Sequence, residues 1–242
     1  MTDSVSVRID PHVHSEGSYD GHEPVELLLE QAAEIGLDGI VVTDHDTIEE
    51  SRRAAALAPE YGLLGIPGVE VSTAAGHLLA IGVDEQPDPH RPLAETVETV
   101  RDLGGVAVVP HPFQRTRHGV AKRRLTDCDA IEVYNSWLFT GYRNRRAKRF
   151  AERHDYPGVA ASDAHSAAFI GRAYTELTID GVAAVDDLEG TDVVDAIRSG
   201  NADIHGHRQP LRSSANHYLI GAARKASWAV EPYVPAPIAN LF

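Results

Sequence analysis

Short apolar runs rich in valine and isoleucine alternate along most of the chain with segments whose apolar positions recur every three to four residues. The first pattern predicts buried β-strands and the second amphipathic α-helices. Strands are expected at 5–10, 39–43, 63–70, 77–83, 106–110, 130–134 and 158–162, with a weaker one at 174–179. Helices are expected at 24–35, 48–61, 93–103, 140–154 and 193–199. In the first of these, Glu26, Glu30 and Glu34 share one face, leucines occupy the other, and Pro24 suits the first turn. Alternating strands and helices imply an α/β fold with a parallel sheet. From about Asn201 this rhythm gives way to histidines, arginines and prolines, so two units are expected: a catalytic domain at 1–200 and a short C-terminal appendage at 201–242 packed on it.

Composition narrows the setting. The 242 residues are 43% hydrophobic but only 6% aromatic, which calls for a core of Val, Ile, Leu and Ala. Cys128 is the single cysteine, so metal ligands must come from His, Asp or Glu; no reactive motif surrounds it, and it reads as structural. The opening residues lack a basic and apolar leader, and no apolar run reaches the length of a membrane span, so a soluble cytoplasmic protein with no membrane partner is expected. A formal charge of −14 opposes binding to duplex DNA. Lysine occurs only at 122, 148 and 225, and such an acidic, lysine-poor composition fits a halophilic, high-salt cytoplasm, the alternative being an ordinary acidic enzyme. The halophile reading predicts a melting temperature that climbs with KCl; full stability in low salt would leave the ordinary enzyme.

Polar residues cluster at or just beyond the ends of the predicted strands, where parallel α/β folds assemble their sites. They are Asp10, His12 and His14 with Asp20, then Asp44, His45 and Asp46, Glu70, His77, His111, Glu132 with Asn135, and Asp163 with His165. In an extended segment residues i and i+2 face the same side, so His12 and His14 can reach one ion, and Asp163 with His165 repeat the geometry. Imidazoles and carboxylates without thiolates suit Zn²⁺, Mn²⁺ or Fe²⁺ better than Ca²⁺ or Mg²⁺.

The stretches DPHVHSEGSYDG, TDHDT, GVEVS, GHLLAIGV, PHPF, AIEVYNS and ASDAH, in this order from about Ile9 to His165, resemble the PHP (polymerase and histidinol phosphatase) domain family. The resemblance implies a distorted (β/α)7 TIM-like barrel holding two or three divalent metals. It assigns His12, His14, Glu70 and Asp163 to one metal, Glu70 with His77 and His111 to a second, and Asp20, His45 and His165 to a third.

Such a site implies a metal-dependent phosphoric ester hydrolase, a phosphatase or phosphodiesterase, in which a metal-bridging water attacks phosphorus without a protein nucleophile. His118 is a candidate for protonating the leaving group, and Asp10, Asp44 and Asp46 are either orienters of ligand imidazoles or turn residues. Arg115 and Arg117 open a basic island that runs to Arg124; they form a phosphate clamp or else a solvated loop paired with Asp127 and Asp129. Asn135 and Arg172 are further substrate-binding candidates, Arg172 alternatively capping the next element. His22, His90 and His154 read as surface residues, and His205, His207 and His217 as tail packing or late additions to the site. The expected substrate is a small phosphate ester, a nucleotide or a single-stranded nucleic-acid end. Alternatives are a histidinol phosphatase, an amidohydrolase-like carbon–nitrogen hydrolase and a non-catalytic metal-binding regulator.

Overall fold

The structure, a computed structural model, describes residues 4–114, 118–125, 127–137 and 141–207. Ten strands form two five-stranded sheets. The first sheet holds β1 (Ser4–Val13), β2 (Gly39–Val42), β3 (Leu64–Gly65), β9 (Ala173–Asp180) and β10 (Ala202–Gly206) in the order β10-β9-β1-β2-β3. The second runs in chain order through β4 (Gly68–Thr73), β5 (Gly76–Ile81), β6 (Val106–Val109), β7 (Ala130–Asn135) and β8 (Gly158–Ala161). Helices α1 (Val25–Glu34), α2 (Glu49–Leu57), α3 (Leu93–Asp102), α4 (Gly141–His154) and α5 (Gly190–Ser199) match the predicted five, with a 3-10 turn at Ala58–Tyr61 finishing the second.

Two expectations change. The stretch 63–70 is not one strand: Pro67, which has no N–H to donate, separates β3 from β4, and the two belong to different sheets. Nor is the sheet parallel throughout, because β5 runs antiparallel to both β4 and β6, and β9 antiparallel to β1. Only Ala74 and Ala75 link β4 to β5, far fewer residues than a parallel crossover requires. Gly76 sits in that turn at φ +142°, and an added Cβ would lie 2.3 Å from the His118 carbonyl oxygen.

The two sheets meet at two isolated parallel bridges, Val13 with Ala164 and His45 with Glu70. Between the sheets lies an aliphatic core in which Val7, Ile9 and Val41 of the first face Leu79, Val106, Val108 and Val159 of the second. Helix α5 presses Val193, Val194 and Ile197 into this core beside Gly82, at the end where β5 finishes. A second core packs α1 and α2 outside the first sheet, and a third packs α3 and Ala151 of α4 outside the second. Each fully buried aliphatic side chain contributes about 1.5–3 kcal/mol, so the few aromatics suffice. Cys128 is buried in the outer core of the second sheet, and burial together with the Asp129 and Asp127 carboxylates pushes its thiol up to about 12, so it is no nucleophile.

The first residues of the predicted appendage belong to the sheet: β10 pairs with β9, and His205 stacks on Tyr174 and pairs with Glu176 at 3.0 Å. His207 donates its backbone N–H to the Arg172 carbonyl. His217 and the rest of the tail lie outside the described residues.

Candidate metal centre

Four parallel strands deliver their C-terminal ends, and the reversed β5 its N-terminal end, to one buried cluster. His12 and His14 lie at the end of β1, His45 after β2, Glu70 in β4, His77 at the start of β5, His111 after β6, and Asp163 and His165 after β8. Asp20 reaches the cluster from the loop between β1 and α1. All nine predicted ligand residues occur in five overlapping triads whose donor atoms lie within 4.8 Å of one another.

Glu70 is the centre. Its Oε1 faces His77 Nδ1 at 2.7 Å and His111 Nε2 at 3.2 Å, while Oε2 faces His12 Nε2, His14 Nε2 and His45 Nδ1 at 3.3, 3.4 and 3.3 Å. Asp163 Oδ1 lies 3.6 Å from His12, 3.5 Å from His14 and 3.6 Å from His165. Asp20 Oδ2 is 3.3 Å from both His45 Nε2 and His165 Nε2.

The donor chemistry fits metal ions better than protons. His12 Nε2 and His14 Nε2 approach to 3.1 Å, a distance at which both cannot carry hydrogens. Among the described residues, buried His111 Nδ1 and His14 Nδ1 have no hydrogen-bond partner. Charge is unevenly held: burial opposes the charged form of Glu70, but the His77, His45 and His12 rings outweigh it and keep the carboxyl well below its usual range. Burial likewise opposes the His45 imidazolium, yet Glu70 and Asp20 lift it to about 9. At His77 burial prevails over Glu70 and drives the ring down to about 4, leaving a neutral donor. His111 and Asp163 hold positive φ, 29° and 55°, where the chain turns out of β6 and β8; non-glycine residues there cost about 1–3 kcal/mol each.

The surrounding shell contains residues to which the sequence lent no role. Glu132, visible only as a carboxylate in AIEVYNS, accepts a hydrogen bond from His12 Nδ1 at 3.1 Å and from the His111 backbone N–H at 2.6 Å. It aims one ligand and anchors the strand end of another. Removing it by Glu132→Ala is expected to weaken metal binding about 10–100-fold, measured by titration of metal-stripped protein. Tyr19 stacks on His45 with centroids 4.9 Å apart, and Trp137 packs against His165 at 5.2 Å.

Several predicted roles shift. Asn135 is fully buried, and its amide donates to Glu132 and Asp163 at 2.9 Å each, so it braces two carboxylates. Asp10 accepts the backbone N–H groups of Ser162 and Gly171, Asp44 holds the N–H and hydroxyl of Ser15, and Asp46 accepts the Ser72 N–H. All three brace the loops that carry ligands through these backbone and Ser15 contacts. Burial raises Asp10 to about 6 despite those bonds. Arg172 lies over the Phe169 ring, which packs on Trp137. His118 is exposed and stacks on His77 at 5.2 Å. His22, His90 and His154 are exposed as expected, and His90 also lines a cleft of about 590 Å³ with His77, His118, Arg123 and Arg124. Arg115 and Arg117 lie outside the described residues.

Residues 10–136 match the family profile described as PHP domain, and residues 141–202 match the profile described as PHP-associated. The chain belongs to the PHP family. A relative from Methanocaldococcus jannaschii, described as an uncharacterised protein, is 26% identical over 152 residues, covering 58% of this chain and 89% of that one. A phosphoribosyl 1,2-cyclic phosphate 1,2-diphosphodiesterase of Eggerthella lenta is 38% identical over 82 residues, 31% of each chain. Among solved structures, a two-domain protein of Bacteroides vulgatus containing a predicted PHP-like metal-dependent phosphoesterase shares the fold, with a TM-score of 0.63 and 20% identity over 84% of this PHP chain and 66% of that one. No helix among the described residues is long and apolar enough to cross a membrane.

Proposed function

We propose that this PHP protein is a metal-dependent hydrolase of phosphate esters acting on a small ester, a nucleotide or the end of an oligonucleotide. The observation that carries this is Glu70, a buried carboxylate whose two oxygens face five imidazoles in two groups. In this reading His12, His14, Glu70 and Asp163 would hold one metal, Glu70 with His77 and His111 a second, and Asp20, His45 and His165 a third. Mn²⁺, Zn²⁺ and Fe²⁺ suit these donors. The two sheets, joined by bridges beside the ligands, act as a distorted barrel around the site.

Bound there, divalent metals supply an acidified water and charge stabilisation on the phosphoryl oxygens. The chain does the rest. Glu132, Asn135, Asp10 and Asp44 fix the ligand-bearing loops, so little reorganisation remains when substrate arrives. The cleft beside His77 receives the phosphorylated group. Arg123 reaches into it, while Arg124 is tied by a 3.1 Å hydrogen bond to the Ala74 carbonyl. In this reading the sequence neighbours Arg115 and Arg117, outside the described residues, also grip phosphate, and His118 at the rim gives a proton to the leaving oxygen. The carbon–nitrogen hydrolase alternative is weaker, since both described lysines, Lys122 and Lys148, are exposed away from the ligand cluster.

The test is a panel of phosphate esters, including nitrophenyl phosphate, nucleotides and short DNA and RNA, on protein of measured metal content. Chelated protein is expected to be inactive and to recover with Mn²⁺ or Zn²⁺. Metal bound with no turnover of any ester would replace the hydrolase with a metal-binding regulator.

A further inference from the structure

The cations of this acidic protein are not spread evenly. Helix α4, GYRNRRAKRFAERH, carries Arg143, Arg145, Arg146, Lys148, Arg149 and Arg153 against the lone acid Glu152, six of the chain's 22 lysines and arginines in 14 residues. Its inward face is small and uncharged, with Asn144, Ala147 and Ala151 buried. Tyr142, Arg145, Arg146, Arg149 and Arg153 recur at the three- and four-residue spacing that places them along one stripe.

That stripe lines a groove of about 370 Å³, closed on its other side by Phe113 and Lys122. Phe113 stands two residues beyond the ligand His111, so the chain connects this wall of the groove directly to a ligand loop. Lys122 also belongs to the 3-10 turn that carries Arg123 and Arg124 into the cleft beside His77, so one short segment separates the two cavities. Among the described residues the arginines in salt bridges are Arg53, Arg91, Arg101 and Arg198, and none of the groove's cations pairs with a carboxylate. Unpaired, exposed and mutually repelling, these guanidinium groups raise the free energy of the protein alone and are offset by a polyanion.

Aromatic rings are interleaved with the charges. Arg146 lies 4.8 Å over the Phe113 ring, Lys122 lies 5.4 Å over Phe150, and Tyr142 projects with 64% of its surface exposed. Of these rings only Tyr142 has an open face, and cations that follow a phosphate backbone beside an open aromatic face are how single strands are held without sequence readout. Arg146, Arg149 and Arg153 rise about 4.5 and about 6 Å apart along the axis, a spacing on the scale of successive phosphates.

We infer that the α4 groove is a second binding site, separate from the metals, for the sugar–phosphate backbone of a single-stranded nucleic acid whose end reaches the metal cluster. The inference rests on the phosphoesterase reading for what happens at that end, and not for the binding itself. The groove makes long strands better ligands than mononucleotides, and its reliance on charge makes binding fall as KCl rises.

The experiment uses the full-length, metal-loaded protein and a fluorescent 12-nucleotide oligothymidylate protected at both ends by phosphorothioate links. Fluorescence anisotropy reads binding, and nitrophenyl phosphate hydrolysis reads the metal site. Arg149→Glu with Arg153→Glu is expected to weaken strand binding at least about tenfold in about 0.1 M salt, with melting temperature and nitrophenyl phosphate turnover unchanged. Tyr142→Ala is expected to cost about tenfold through lost stacking. Unchanged strand affinity in the folded charge-reversed protein overturns the groove. Insensitivity to Tyr142→Ala, or equal competition by a polyglutamate of matched charge, overturns the nucleic-acid assignment and points to an acidic protein partner. A wild type that turns over no ester yet binds the strand through these arginines keeps the groove and removes the hydrolase.

Discussion

Glu70→Gln is expected to lower phosphate-ester turnover by about 10³-fold and to reduce the metal retained per chain. Glutamine preserves the shape of the side chain but replaces an anion that accepts on both oxygens with a neutral group that accepts on one and donates from the other. At this position the change is unusually expensive. Oε1 faces His77 and His111, and Oε2 faces His12, His14 and His45, so an amide nitrogen on either side meets imidazole nitrogens needed for metal. The negative charge shared between the two groups also disappears. Elemental analysis and steady-state kinetics on the same preparation check this, and a variant that keeps full metal content and full turnover would show that Glu70 is not a bridge.

Metal-loaded protein is expected to melt about 8–16 °C above chelated protein for each site held at a free metal concentration near 1,000 times its Kd, which corresponds to about 4 kcal/mol per site. The cause is mass action: the donors converge only in the folded chain, so metal binds the native state and not the unfolded one. The pH dependence has a definite sign. In metal-free protein His45 is raised from 6.5 to about 9, so its charged form contributes stability below its ordinary value that is lost as pH rises through about 9. Metal needs the neutral ring and displaces that proton, so metal affinity climbs over the same window. The melting difference between metal and chelator should therefore widen from pH 6.5 to 9, as measured by thermal unfolding in matched buffers. A difference that shrinks with pH would contradict the arrangement of His45 between Glu70 and Asp20.

By itself the sequence determined which residues could serve as donors and at which strand ends they stand. His12 with His14, and Asp163 with His165, are local patterns, fixed by the two-residue period of an extended chain, and the aliphatic composition already implied the core. Three features needed the tertiary structure. The reversal of β5 depends on a two-residue turn after Pro67 has split the preceding segment, and it is this reversal that sets His77 at the start of a strand opposite Glu70. The roles of Glu132, Asn135 and Asp10 depend on pairing across the sheets: Asp10 meets Ser162 152 positions away, and Glu132 meets His12 120 away. The placement of the α4 arginines beside the His111 loop is equally non-local. Their stripe was present as a helical spacing, but a charged helix face alone is a solvated surface, and only the groove it forms with Phe113 and Lys122 gives it a ligand. Local periodicity is set within a few residues by backbone geometry, whereas these contacts are set by strand order and register, which the packing of the two sheets decides.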